Sequence, residues 1–363
     1  MTPPSSLSLL LGDATGSAYP SLTTSVLPSL LRAIARTAGS LRGAQRVESA
    51  GSDNVFGDAQ LNVDVLAEGH FREEIAGCGA IVAASSEEDP VETSSSSARK
   101  SKSGKEGEDE GGKREGGEKE EDEEDVYAIA FDPLDGSSII APNWAVGSIV
   151  GIWAGKTAIN QDPRKRQIAA ILAVHGPRTT AVIAVRVPGR EDQAVCVEVH
   201  IDPENPDADA IVVRPALRLE DVTTTGTGAG GVEGGKVRTR YFAPANLRSA
   251  AEDPRYMSLI TRFITQRYTL RYSGGLVPDI IHALVKGHGV YVSPVTERST
   301  AKLRRAFELL PVALVVECAG GRAVDPVTGR DVLDTMLRGL DEKGGLVCGN
   351  RGEVEGVVEV LLG

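Results

Sequence analysis

Between residues 126 and 138 the chain reads Val126-Tyr127-Ala128-Ile129-Ala130-Phe131-Asp132-Pro133-Leu134-Asp135-Gly136-Ser137-Ser138. Six apolar residues in a row read as a buried strand, and two carboxylates three residues apart fall where that strand ends. Pro133 fixes φ in the turn and Gly136 permits a sharp exit. Asp132 and Asp135 can then address one point in space, with the Leu134 carbonyl between them. Ser137 and Ser138 offer hydroxyls and N–H groups just beyond. Hard oxygen ligands beside anion-binding N–H groups suit Mg²⁺ together with a phosphate. A lone D-x-x-D-G more often caps its own backbone as an Asx-turn, so the weight of the motif depends on the rest of the chain.

Two further acidic clusters lie upstream. Asp58 and Asp64 flank a turn that leads into a helix running through Ile75. Ala80–Ala84 reads as a short buried strand that ends in Ser85-Ser86-Glu87-Glu88-Asp89, the same arrangement of acids after an apolar run. Each cluster alone reads as a solvated loop. Three of them between residues 58 and 135 favour a cation, because convergent carboxylates repel unless one neutralises them. Residues 91–125 interrupt this pattern with thirteen acidic and seven basic residues among Ser and Gly. Such a composition cannot bury enough to order itself, so it reads as a disordered charged insert between two strands.

At 363 residues the chain favours two domains, 1–190 and 191–363, with the boundary near residue 190. A net charge of −12 argues against nucleic acid or an anionic membrane as a partner. No apolar run reaches membrane-spanning length. Met1–Ser25 has neither Lys nor Arg, unlike a signal or transit peptide, and Cys78, Cys196, Cys318 and Cys348 show no paired spacing. A cytoplasmic protein with free buried thiols is expected. Residues 1–20 read as poorly ordered and Ser25–Arg42 as an amphipathic helix. Asn143–Trp153, Gln167–Val174 and Thr179–Val187 read as strands, and residues 188–240 as irregular. His175, in the turn between two of these strands, has no visible partner and reads as structural rather than as a general base.

The second half carries cations. Asn246 follows Tyr241-Phe242-Ala243-Pro244-Ala245, and a helix is predicted over Tyr256–Arg267. Arg271 and Tyr272 precede a Gly pair and could grip a phosphate with charge and hydroxyl. Thr300–Leu310 is predicted as a helix with Lys302 in its first turn, where a cation opposes the helix dipole unless an anion binds nearby. Glu308 sits in the apolar run Ala306–Val312 and needs a partner, for which a metal would serve.

The ordered set Gly57-Asp58, Leu61-Asn-Val-Asp64, Ser86-Glu87-Glu88, Asp132-Pro-Leu-Asp-Gly-Ser-Ser138, Asn246, Arg271-Tyr272 and Lys302-Leu-Arg-Arg-Ala-Phe-Glu308 resembles the fructose-bisphosphatase family, within the magnesium-dependent, lithium-sensitive sugar and inositol phosphatases. The resemblance runs from about residue 20 to the C-terminus, apart from the insert. Gly136-Ser-Ser-Ile-Ile and the run Ile168–Thr180 are most similar to its sedoheptulose-1,7-bisphosphatase branch. The resemblance implies an α/β fold of αβαβα layers, a homo-oligomer (dimer or tetramer), and Mg²⁺, for which Mn²⁺ can substitute. It implies Glu87, Asp132, Asp135, Glu308 and the Leu134 carbonyl as metal ligands, with Asp58 holding a further ion. Asp58, Asp64 and Glu88 become catalytic residues, the last two relaying the proton of an attacking water. Gly136, Ser137 and Ser138 would hold the 1-phosphate, and Asn246, Arg271, Tyr272 and Lys302 the sugar and distal phosphate. The implied reaction is direct hydrolysis of the 1-phosphate of sedoheptulose 1,7-bisphosphate, with fructose 1,6-bisphosphate as the alternative substrate and a non-catalytic sugar-phosphate sensor as a third reading. Val47 and Ser52 stand where the chloroplast enzymes of that branch carry regulatory cysteines, and Val126 where some fructose enzymes carry an AMP-binding lysine. Ser293 stands where fructose enzymes carry a tyrosine. Thiol control and AMP control are therefore not expected.

Overall fold

The computed structural model describes residues 7–16, 18–54, 59–94, 125–220, 232–233, 236–237 and 239–363. The central element is a sheet whose strands lie in the order Ile211–Arg214, Val195–His200, Thr179–Val185, Gln167–His175, Val146–Ala154, Tyr127–Asp135, Ile81–Ser86 and Thr93–Ser94. All neighbours are antiparallel except Ile81–Ser86 with Tyr127–Asp135. The strand Tyr127–Asp135 is buried along its whole length, as its unbroken apolar run requires.

Side chains alternate between the two faces of this strand. Tyr127, Ile129 and Phe131 join a core with the helices Leu27–Gly43 and Asn62–Gly77, through Leu30, Ile34 and Phe71. Ala128 and Ala130 face the opposite core, where small residues let the helices Leu276–Lys286 and Leu310–Cys318 approach. The far side of those helices meets a second sheet, ordered Thr269–Leu270, Tyr241–Pro244, Val290–Ser293, Leu346–Gly349 and Arg322–Val324. The helices Pro254–Thr265 and Arg351–Leu362 cover its outer face through Tyr256, Leu259, Phe263 and Val354. The layers therefore run αβαβα, as the motifs imply.

Several local expectations need correction. Leu7–Thr15 is a helix, and Leu11 inserts into the first core at 1% exposure, so this part of the segment read as poorly ordered is docked, while residues 1–6 lie outside the described residues. Residues 188–240 are not irregular throughout. Val195–His200 and Ile211–Arg214 add two strands to the central sheet, which continues past the boundary placed near residue 190. His175 is the last residue of a strand rather than a turn residue, and it is buried. The ends of the charged insert belong to the fold. Thr93–Ser94 pairs with Ala83–Ala84, Glu92 accepts the Ala158 N–H at 2.8 Å, and Asp125 accepts the Ser21 N–H at 2.9 Å. Its remainder, 95–124, lies outside the described residues. Among the described residues no helix is long and apolar enough to cross a membrane.

Candidate active site

Two residues three apart on a regular strand point to opposite faces. Here Asp132 pairs with Ile149 and Asp135 with Gly147, so Pro133 and Leu134 together oppose Ser148. This β-bulge restores the parity and turns both carboxylates to one side. Glu308 arrives from the other half of the chain, and ligand atoms of Asp132, Asp135 and Glu308 lie within 4.8 Å of one another, all three side chains buried. The strand exits at Gly136 with φ +96°, where an added Cβ would lie 3.3 Å from the Ile139 side chain. Ser137 and Ser138 open the helical turn Ser137–Ile140, whose first N–H groups have no carbonyl one turn back.

Burial dominates the electrostatics. It pushes Asp132 well above the usual carboxylate range, and Glu87, Asp135 and Glu308 add like-charge repulsion. Asp135 rises to about 7 by burial, although the Val277 and Leu276 N–H groups oppose the shift. Glu308 moves up for the same first reason, followed by repulsion from Glu87. Buried acids that raise one another in this way are the donor set a hard divalent cation requires, and the residues fit Mg²⁺.

Glu87 and Glu88 follow the strand Ile81–Ser86, and the Glu87 N–H donates to the Phe131 carbonyl at 3.0 Å, which fixes the two strand ends together. Burial raises Glu88 to about 7, against a hydrogen bond from the Gln60 side-chain amide and with repulsion from Asp64 and Glu87. Asp64, in the first turn of Asn62–Gly77, accepts the Leu61 N–H at 2.8 Å and the Ser137 hydroxyl at 2.9 Å. A buried carboxylate thus bonds to a hydroxyl of the Ser137–Ile140 turn, with Glu88 close enough to feel its charge. Asp58 lies outside the described residues.

Lys302 is not in a helix. Leu303–Arg304 forms a short strand antiparallel to Lys343–Gly344, and the helical backbone starts only at Arg305. Pairing with a neighbouring segment overrides the helical spacing of Leu303, Ala306, Phe307 and Leu310. Lys302 is exposed as a result. Arg304, overlooked in the sequence, is inside at 1% exposure. Its Nε donates to Glu87 Oε1 at 2.9 Å, and its N–H donates to Glu308. Strand alternation would put Arg304 on the same face as the exposed Lys302, so no periodicity in the sequence signals its burial.

The distal residues are more open. Arg271 is exposed, lies 5.7 Å above the Tyr241 ring and donates to the Leu270 carbonyl at 2.7 Å, and Tyr272 is 44% exposed. The loop after them is tied down: Asp279 accepts the Ser273 N–H at 2.7 Å, and burial lifts Asp279 to about 6. Asn246 has φ +50° and donates to the Pro294 carbonyl at 3.0 Å, so its side chain braces the loop after Ser293. The structure thus joins Asp132, Asp135, Glu308 and Glu87 through distance and charge, and Asp64 with Ser137 through a hydrogen bond. Asn246, Arg271, Tyr272 and Lys302 lie on the C-terminal half, without a hydrogen bond to the acids among the described residues.

Both halves of the chain are similar to known proteins. The family pattern described as fructose-1-6-bisphosphatase, N-terminal domain, matches residues 113–193, and its C-terminal domain counterpart matches residues 236–362. Chloroplastic sedoheptulose-1,7-bisphosphatase of Triticum aestivum is 32% identical over 311 residues, covering 85% of this chain and 66% of the wheat protein, so the chain spans about two thirds of that relative. A class 1 fructose-1,6-bisphosphatase of Syntrophotalea carbinolica is 31% identical over 318 residues, covering 86% of this chain and 81% of that protein. Among solved structures, a Toxoplasma gondii protein assigned as a sedoheptulose-1,7 bisphosphatase superposes with a TM-score of 0.78 at 33% identity, over 100% of this chain and 99% of the other. The chain belongs to the fructose-1,6-bisphosphatase family, a family of sugar bisphosphatases.

Proposed function

We propose that the protein removes the 1-phosphate of sedoheptulose 1,7-bisphosphate in a Mg²⁺-dependent hydrolysis. The observation that carries this reading is the buried Asp132–Asp135–Glu308 cluster, next to the Ser137–Ile140 turn that would bind phosphate. The relatives named for sedoheptulose bisphosphate support the substrate. Asp132, Asp135, Glu308 and Glu87 would hold the divalent ions, with the Leu134 carbonyl between the two aspartates. Such ions, when bound, supply positive charge to a transferring phosphoryl group and acidify a water. Glu88, lifted to about 7, can take up the proton of the attacking water near neutral pH, with Asp64 beside it. Ser137 holds Asp64 through its hydroxyl, which leaves the Ser137 and Ser138 N–H groups for phosphate oxygens. Arg304, already at Glu87, adds a fixed cation at the reacting end. Arg271, Tyr272 and Lys302 supply charge and a hydroxyl to the distal phosphate.

The alternative substrate is fructose 1,6-bisphosphate, favoured by the class 1 relative. A cytoplasmic, reducing setting suits four buried free thiols. Phosphate release from the two bisphosphates in parallel, with and without Mg²⁺, tests the reading. A higher kcat/KM for the seven-carbon substrate and loss of turnover in chelator are expected. A preference for the six-carbon substrate would install the alternative, and no release from either would leave a sensor.

A further inference from the structure

The bulge that aims Asp132 and Asp135 carries an exposed weakness of its own making. Pro133 has no N–H, and the two residues opposite Ser148 break the regular ladder at the point where the ligands must be fixed. The Pro133 carbonyl is held instead by a side chain: Ser148 Oγ donates to it at 2.8 Å, and Ser148 is fully buried. The same Oγ lies 2.8 Å from His175 Nε2. His175 pairs with Val146, two residues along from Ser148 on the same face of the adjacent strand, so the register of three strands sets this contact.

Proton counting fixes the direction of the relay. A carbonyl only accepts, so the single hydroxyl proton of Ser148 goes to Pro133. His175 must then donate from Nε2. Its Nδ1 is buried and has no hydrogen-bond partner among the described residues, so a proton there would be unsatisfied and the neutral Nε2–H tautomer is favoured. Burial pushes His175 down to about 4, with the Arg42 charge adding to the effect, so the ring stays neutral. A neutral ring cannot serve as a cation toward phosphate, and Ser148 stands between it and the turn.

We propose that His175 is a positioning residue for the metal centre: through Ser148 it locks the Pro133 carbonyl and thereby the bulge that turns Asp132 and Asp135 to one side. This rests on the metal-binding reading of the carboxylate cluster. Partners that orient a metal ligand typically contribute about 10–100-fold in metal affinity, and here the orientation passes through the backbone rather than through the ligand itself.

The test is direct Mn²⁺ binding to the full chain, read by the electron paramagnetic resonance signal of free Mn²⁺, with melting temperature measured on the same samples. Ser148→Ala and His175→Ala should each weaken Mn²⁺ binding by about 10-fold or more. His175→Gln, which can present an N–H where Nε2 stood, should recover most of that loss. If His175→Ala does not fold, Ser148→Ala, which removes one oxygen, carries the test alone. Mn²⁺ binding as tight as wild type in Ser148→Ala, even with a lowered melting temperature, would overturn the relay and leave the metal reading intact. Equal weakening in His175→Gln and His175→Ala would overturn the role of His175. A wild-type chain that binds no Mn²⁺ would remove the metal reading and the relay with it.

Discussion

Asp135 holds Val277: its Oδ2 accepts the Val277 N–H at 2.7 Å, while Oδ1 takes the Leu276 N–H at 3.1 Å. One carboxylate therefore serves the acid cluster and the start of the helix Leu276–Lys286, where a negative charge is favoured by the dipole. Asp132, by contrast, bonds only to the Leu134 N–H two residues on, at 3.0 Å, among the described residues. Asp132→Asn should lose turnover by more than about a hundredfold, since several kcal/mol of charge stabilisation at 1.36 kcal/mol per decade is removed. Its melting temperature at about pH 5 in chelator, where the buried Asp132 is already protonated, should hold. Asp135→Ala should lose turnover and also destabilise the fold by about 1–3 kcal/mol for two unmade hydrogen bonds, read as a lowered melting temperature. Near-normal phosphate release from Asp132→Asn would refute the ligand assignment.

The raised acids make a statement about stability. Asp135 moves from 3.8 to about 7 and Glu88 from 4.5 to about 7 on folding, and Asp132 and Glu308 shift the same way. A carboxyl with a higher pKa folded than unfolded binds more protons in the folded state. Its contribution is therefore full below the unfolded value and is lost as pH climbs through the folded one. In chelator, the melting temperature should fall between about pH 4 and pH 7, and the fall should be shallower in Asp132→Asn. Mg²⁺ should raise it more at pH 8 than at pH 5, because the ligands must be ionised to bind. Melting curves in chelator that stay level across this window would contradict the crowding of charge.

Residues 96–123 can be replaced by Gly-Ser-Gly-Ser with little effect. They contain almost nothing apolar to bury, while the anchors Glu92, Thr93–Ser94 and Asp125 remain. Stability should change by no more than about 0.5 kcal/mol, and phosphate release should be unchanged. A large drop in kcat would show that the insert reaches the neighbouring Glu87–Glu88.

Substrate choice should respond at Ser293, the last residue of its strand, followed directly by the Pro294 that Asn246 braces. On the proposed reading, a side chain without bulk there would leave room for one more carbon. One carbon's fit is about 1–3 kcal/mol, or roughly 10- to 200-fold in kcat/KM. Ser293→Tyr should move the ratio of the two bisphosphates toward the six-carbon one, and an unmoved ratio would clear Ser293 of any part in selection.

Much of this arrangement is legible in the residues. Unbroken apolar runs mark the central strands because their neighbours bury both faces, and Asp132 and Asp135, which end one such run, converge. What escaped was set by distant partners. Val195–His200 and Ile211–Arg214 sit among Pro, Gly and Asp, and only the edge of an existing sheet makes them strands. Lys302–Arg304 reads as helix until its pairing with Lys343–Gly344 is known, so Arg304 stayed hidden. The turn at Pro133 suggested convergence, but a strand-pairing defect opposite Ser148 achieves it.

The acid cluster joins residues 132 and 135 to residue 308 across the seam between the two sheets' layers. A chain emerging from synthesis displays Asp132 and Asp135 long before Glu308 exists. On the metal-binding reading, high-affinity capture of a divalent ion must wait until Val277 and Leu310 of the second half have packed onto the first-half sheet. Metal affinity would then report completion of long-range assembly, and a bound ion would favour the docked pair of halves rather than either half alone.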